Sequence, residues 1–128
     1  MSRVTFVEPM PGLPGLVDYE LTPVDGAPGL LTLTTDPPGV RLFVVDAEVH
    51  VPGYAPTVAT EDVARLGLED PADARVLVVA QPAGEDGVTV NLMAPVVVHR
   101  ETGAAAQLIV TQEDWPLRHA VGDPLPAA

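Results

Sequence analysis

The side chains that could do chemistry are few. His50, His99 and His119 are the only histidines, and no two share a His-x-His metal spacing. A metal site is not expected. Acids come in adjacent pairs: Glu61-Asp62, Glu69-Asp70, Glu85-Asp86 and Glu113-Asp114. Neighbouring residues point apart on a strand or a helix, so such pairs make poor acid/base dyads. They read as solvated turns and helix starts. Ser2 is the only serine, and cysteine and lysine are absent. These absences exclude a Ser-His-Asp hydrolase, a thiolate nucleophile or zinc site, a Schiff-base lysine and a P-loop lysine. Gly12-Leu13-Pro14-Gly15 lacks the spacing of a phosphate loop, and Asp70, Asp73 and Arg75 do not fit a calcium loop. No enzyme chemistry and no cofactor follow from these residues.

Binding is the remaining class. Asn91 is the only asparagine and is followed by Leu92-Met93-Ala94-Pro95, a small, adaptable, donor-poor stretch. Such a strand end can form a flat partner-binding patch. Equally, Asn91 can hydrogen-bond its own turn ahead of Pro95. Tyr54, in Pro52-Gly53-Tyr54-Ala55-Pro56, is either an interface anchor or a plug at the end of the fold with its hydroxyl in water. Phe6 and Phe43 read as core by pattern. Trp115 reads as a lid over the core or a contact residue.

The charge narrows the partner. Eighteen acids against six arginines give a formal charge of −12. That surface repels nucleic-acid backbones and anionic membranes. It attracts basic partners, or simply keeps the protein soluble. No basic-then-apolar signal segment opens the sequence, and no apolar run reaches the roughly 20 residues needed to span a bilayer. A cytoplasmic location is expected.

Short β-branched runs must position these residues. Val4 and Phe6 alternate with Thr5, Leu31 and Leu33 with Thr32 and Thr34, and Val88, Val90 and Leu92 with Thr89 and Asn91. Alternation predicts strands with one wet face. Continuous apolar runs at 76–79, 96–98 and 108–110, and the stretch 40–45, predict strands, the first three covered on both faces. Turn residues at Asp25-Gly26, Asp36-Pro37-Pro38-Gly39, Glu85-Asp86-Gly87 and Thr102-Gly103 separate the runs. The last four strands read as an antiparallel meander. A helix is predicted from an N-cap at Thr60 to a stop at Gly67, and a second short helical turn through 114–119. The expectation is an all-β, small antiparallel barrel-like domain over residues 1–121, with one or two short helices and an external helix or loop covering part of it. Residues 122–128 read as a flexible C-terminal tail.

The stretch Val88-Thr89-Val90-Asn91-Leu92-Met93-Ala94-Pro95-Val96-Val97-Val98, with Gln107-Leu108-Ile109 after it, resembles the FliW family of flagellar assembly factors. Val4-Thr5-Phe6 with Pro11-Gly12-Leu13-Pro14-Gly15 is similar to that family's opening. Pro38-Gly39-Val40, Phe43-Val44-Val45-Asp46 and Pro52-Gly53-Tyr54 are similar to its middle. Leu16 stands where the family commonly has Phe, and Ala47 where it has Pro. The resemblance implies a barrel-like all-β fold and a non-enzymatic regulator. It implies binding to flagellin and, in alternation, to the basic RNA-binding repressor CsrA, so that flagellin level sets flagellin translation. CsrA inhibition would be allosteric or partly competitive. Matched position by position, it makes Asn91, Leu92, Met93, Ala94, Pro95, Tyr54 and Phe43 the candidate partner-binding residues. The competing expectation is a generic acidic β-barrel adaptor or chaperone for another basic client.

Overall fold

Alternating burial builds the first half of the sheet. The computed structural model describes residues 2–10, 13, 15–35, 39–82, 87–110 and 115–121. Strand β1 (Ser2–Phe6) turns Val4 and Phe6 inward, and β2 (Asp18–Pro23) turns Tyr19 and Leu21 inward. Strand β3 (Leu30–Thr35) buries Leu31, Leu33 and Thr35, and β4 (Arg41–Asp46) follows. Each strand pairs antiparallel with the next. Strand β5 (Ala74–Pro82) lies antiparallel to β4, with Val44 opposite Val79. On its other edge it pairs with β7 (Val96–His99), which pairs with β8 (Ala104–Gln107). Residues Thr5 and Phe6 then pair parallel with Ala104 and Ala105 of β8. This ladder closes a seven-stranded barrel in the order β4-β3-β2-β1-β8-β7-β5 and back to β4.

Gly103 makes the closure possible. It sits in the β7–β8 turn at φ 78°, and a Cβ there would lie 2.6 Å from the Arg3 carbonyl oxygen. Only glycine tolerates both the left-handed backbone and the approach of β1. Thr5 N–H donates to the Gly103 carbonyl at 2.9 Å.

The apolar residues form one interior and two exterior clusters. Val4, Phe6, Tyr19, Leu33, Leu77 and Val96 fill the barrel. Outside it, Val45, Val51, Val78, Ala80, Val90 and Leu92 form one cluster, with Tyr54 and Trp115 against it. The other gathers Leu66, Val97, Ala106 and Leu108. This explains the two sequence patterns. Val97 is covered outside while its neighbours Val96 and Val98 face in, so a continuous apolar run results.

Several expectations need correction. The last strands are not a meander. Strand β6 (Val88–Val90) and β7 lie end to end along one edge of β5, with Val90 opposite Ala80 and Val96 opposite Leu77. Between those pairs one chain advances six residues and β5 only three, so 91–95 must leave the ladder. The run 108–110 is not a strand, and it is not covered on both faces: Ile109 is 56% exposed. Strand β2 was hidden by its acids: Asp18 and Glu20 face outward while Tyr19 and Leu21 face in.

The helices also differ. Helix α1 (Ala47–His50) was not foreseen; Asp46 starts it by accepting the Glu48 N–H at 3.1 Å. Helix α2 (Thr60–Leu66) begins one residue before the expected point. Its N-cap is Ala59, Thr60 lies within the helix, and no side chain caps it. Gly67 ends it in the left-handed conformation as predicted, at φ 68°. No helix occurs at 115–119, where β9 (His119–Ala120) pairs with β6. Phe43 is not core: it is 36% exposed, with the Arg41 guanidinium 4.9 Å from its ring centroid. The expected tail, 122–128, and the turns at 36–38, 85–86 and 113–114 lie outside the described residues.

Candidate functional site

The segment that leaves the ladder at 91–95 carries the candidate site. The Asn91 side-chain oxygen accepts the N–H groups of Met93 at 3.0 Å and Ala94 at 3.1 Å. Asparagine thus builds its own turn ahead of Pro95, one of the two roles open to it from sequence. The surroundings bond most of the remaining backbone groups. Leu92 N–H donates to the Pro116 carbonyl, Leu108 N–H to that of Pro95 and Val110 N–H to that of Met93. The Gln107 amide donates to the Ala94 carbonyl at 3.2 Å. The Tyr54 hydroxyl donates to the Leu92 carbonyl. A loop bonded at so many points is a fixed shape rather than a loose connection.

Leu92, Ala94 and Pro95 are buried and support the turn from beneath. Met93 is 38% exposed. Beside it runs Leu108 to Val110, which presents Ile109 outward. The outward apolar surface of the turn is therefore Met93 with Ile109, and sequence reasoning had missed Ile109 by assigning it to a covered strand.

Tyr54 is half-buried. Its ring meets Trp115 edge-on, with centroids 4.8 Å apart, and both pack on the exterior cluster containing Leu92. Its hydroxyl is bonded to protein, contrary to the wet plug considered from sequence. Trp115 is a lid over that cluster. Phe43 lies on β4 away from the turn's hydrogen bonds. The structure thus joins Tyr54 to the 91–95 turn directly and leaves Phe43 outside its bonding.

A partly buried ion pair went unnoticed in the sequence. Asp46 accepts from Arg75 Nε at 3.0 Å, besides starting α1. Its signal was an acid closing an apolar run, immediately before Ala-Glu.

Several other titratable groups are committed to structure. His99 Nδ1 accepts the N–H groups of Glu101 and Thr102, which fixes the ring in the turn. His50 Nε2 lies 2.9 Å from the Pro28 carbonyl oxygen. Asp70 accepts the Ala72 N–H. Asp62 pairs with Arg65, whose pKa is raised chiefly by that hydrogen bond. Burial raises the pKa of the Tyr19 phenol. Among the described residues no group of three or more His, Asp or Glu could hold a metal ion. No described helix is long and apolar enough to cross a membrane.

The turn and the closed barrel around it can be set beside known proteins. The family model described as FliW protein matches residues 2–121. The chain belongs to the FliW family. It is 30% identical over 120 residues to the flagellar assembly factor FliW of Pseudothermotoga lettingae, covering 92% of this chain and 77% of that one. It is 32% identical over 112 residues to that of Geotalea uraniireducens, covering 84% and 69%. A crystal structure of the flagellar assembly factor FliW superposes with a TM-score of 0.85 over 92% of this chain and 84% of that chain. At 20% identity this last likeness shows that the fold is the FliW fold.

Proposed function

We propose that this FliW-family chain works in the cytoplasm as a non-enzymatic binding protein. It takes flagellin as one client and the basic repressor CsrA as the alternative. Flagellin level then decides how much CsrA is held away from flagellin translation. The observation that carries the reading is the turn 91–95 of a FliW-family barrel, whose exposed apolar residue, Met93, stands on a backbone held by many hydrogen bonds. An apolar side chain on a preformed surface gives affinity with little ordering cost. The charge of −12 supports the second partner, because it steers a basic protein in and repels RNA.

In this reading Met93 makes direct contact, with Ile109 beside it. Asn91 and Tyr54 hold the turn in place, Leu92, Ala94 and Pro95 support it, and Phe43 lies at the margin. Calorimetric titration of the protein with flagellin and with CsrA from the same organism, each at two salt concentrations, tests it. Binding to flagellin, together with CsrA binding that weakens with salt, is the expected pattern. A folded protein that binds neither would leave the other reading, an acidic adaptor for a different basic client.

A further inference from the structure

The two exterior clusters do not meet. On the outer face of β5, Ala74 packs against one cluster and Val78 and Ala80 belong to the other, while Val76 belongs to neither. Val76 is the floor of a groove of about 630 Å³. Its walls are Val51 and Tyr54 on one side and Val58, Val63 and Leu68 on the other. Most of its surface is apolar. Three acids, Glu48, Glu69 and Asp70, stand exposed around it, and no cation among the described residues lines it. Arg100 reaches Glu48 at 3.5 Å, but both side chains are largely exposed, so this pair leaves the rim acidic.

We propose that this groove is a docking site for a short amphipathic segment of another protein, apolar along one side and carrying lysine or arginine at its flanks. The apolar side chains would displace water from Val76, Val63 and Leu68, and the flanking cations would face Glu48, Glu69 and Asp70. An acidic or uncharged segment of the same shape lacks half of this match, and like charges at the rim oppose the acidic one. The surface differs from that of Met93, although Tyr54 serves both: its ring lines the groove while its hydroxyl holds the Leu92 carbonyl. The inference goes beyond the flagellin reading and does not depend on which client the protein serves.

The test uses the full chain and two synthetic amphipathic helical peptides, one of leucine and lysine and one with glutamate at every lysine position. The lysine peptide should bind and shift the amide resonances of Val63, Leu68 and Val76, whereas the glutamate peptide should not bind. Ala55 lines the groove and is exposed, so Ala55→Arg should leave the fold intact. It should weaken the lysine peptide by about tenfold or more, because the side chain fills the apolar groove and offers the rim acids a cation of the protein's own. The double variant E48Q/E69Q should weaken it and flatten its salt dependence. Equal binding of both peptides, resonance shifts confined to another face, or unchanged affinity in a folded Ala55→Arg protein would each overturn the proposal.

Discussion

The hydroxyl of Tyr54 donates to the carbonyl of Leu92, tying the loop after α1 to the turn that interrupts the β6–β7 edge. That carbonyl lies outside the sheet ladder, and the phenol is the side chain that satisfies it. Tyr54→Phe keeps the ring against Trp115 and removes only this bond. A loss of about 1 kcal/mol is expected. A thermal melt should show a Tm lower by a few degrees, with the barrel's circular dichroism retained. An unchanged Tm would mean that water replaces the phenol at no cost.

Asn91 allows a sharper substitution pair. Aspartate keeps an oxygen for the Met93 and Ala94 N–H groups, so Asn91→Asp should melt close to the wild type. Asn91→Ala removes both bonds and should cost about 1–2 kcal/mol. If binding requires the turn's shape, Asn91→Ala should also weaken clients more than Asn91→Asp does. Denaturant titrations of the two variants, side by side with binding, check both statements.

Tyr19 sits inside the barrel, 2% exposed, and its hydroxyl has no hydrogen-bond partner among the described residues. Burial raises its pKa above the ordinary 10.0. The folded state therefore holds the phenol proton to higher pH than the unfolded state does. The resulting stability is fully present below pH 10 and is lost as pH rises through the folded pKa. Tyr19→Phe should be as stable as the wild type or more so at neutral pH, since an unpaired buried hydroxyl is removed. Its stability should also fall less steeply above pH 10. Chemical denaturation at pH 7 and pH 11 gives both readings.

Gly103 holds the parallel closure of β1 on β8. Gly103→Ala places a methyl group 2.6 Å from the Arg3 carbonyl oxygen and forces alanine to positive φ. A destabilisation of about 2–3 kcal/mol is expected, larger than the ordinary 1 kcal/mol for alanine in a left-handed turn. Amide exchange should show that β1 and β8 lose protection first.

The barrel was legible because its inward positions follow strict alternation, as at Val4 and Phe6 or Leu31 and Leu33. The covered faces of 96–98 were legible because no polar residue interrupts them, whereas the equally apolar run 76–79 is covered only in part, Val76 flooring an open groove. Strand β2 was not: proline and acids dilute its pattern, and neighbouring strands rather than composition recruit it. The detour at 91–95 was invisible as geometry, because period-two reading cannot count residues that drop out of register. Asn91 was nonetheless the right residue to single out, since its side chain builds that detour. Phe43 misled because an aromatic in an apolar run is usually core, whereas here it faces outward under Arg41. Asp46 and Arg75 pair across 29 positions, a separation at which sequence spacing carries no signal.

The most direct test is calorimetric titration of flagellin into the wild-type protein and into Met93→Glu. Met93 is exposed, so the variant should fold and melt like the wild type. Saturable binding by the wild type, weakened about tenfold or more in Met93→Glu, is the predicted result. A folded wild-type protein that does not bind flagellin, or a Met93→Glu protein that binds it undiminished, would contradict the account.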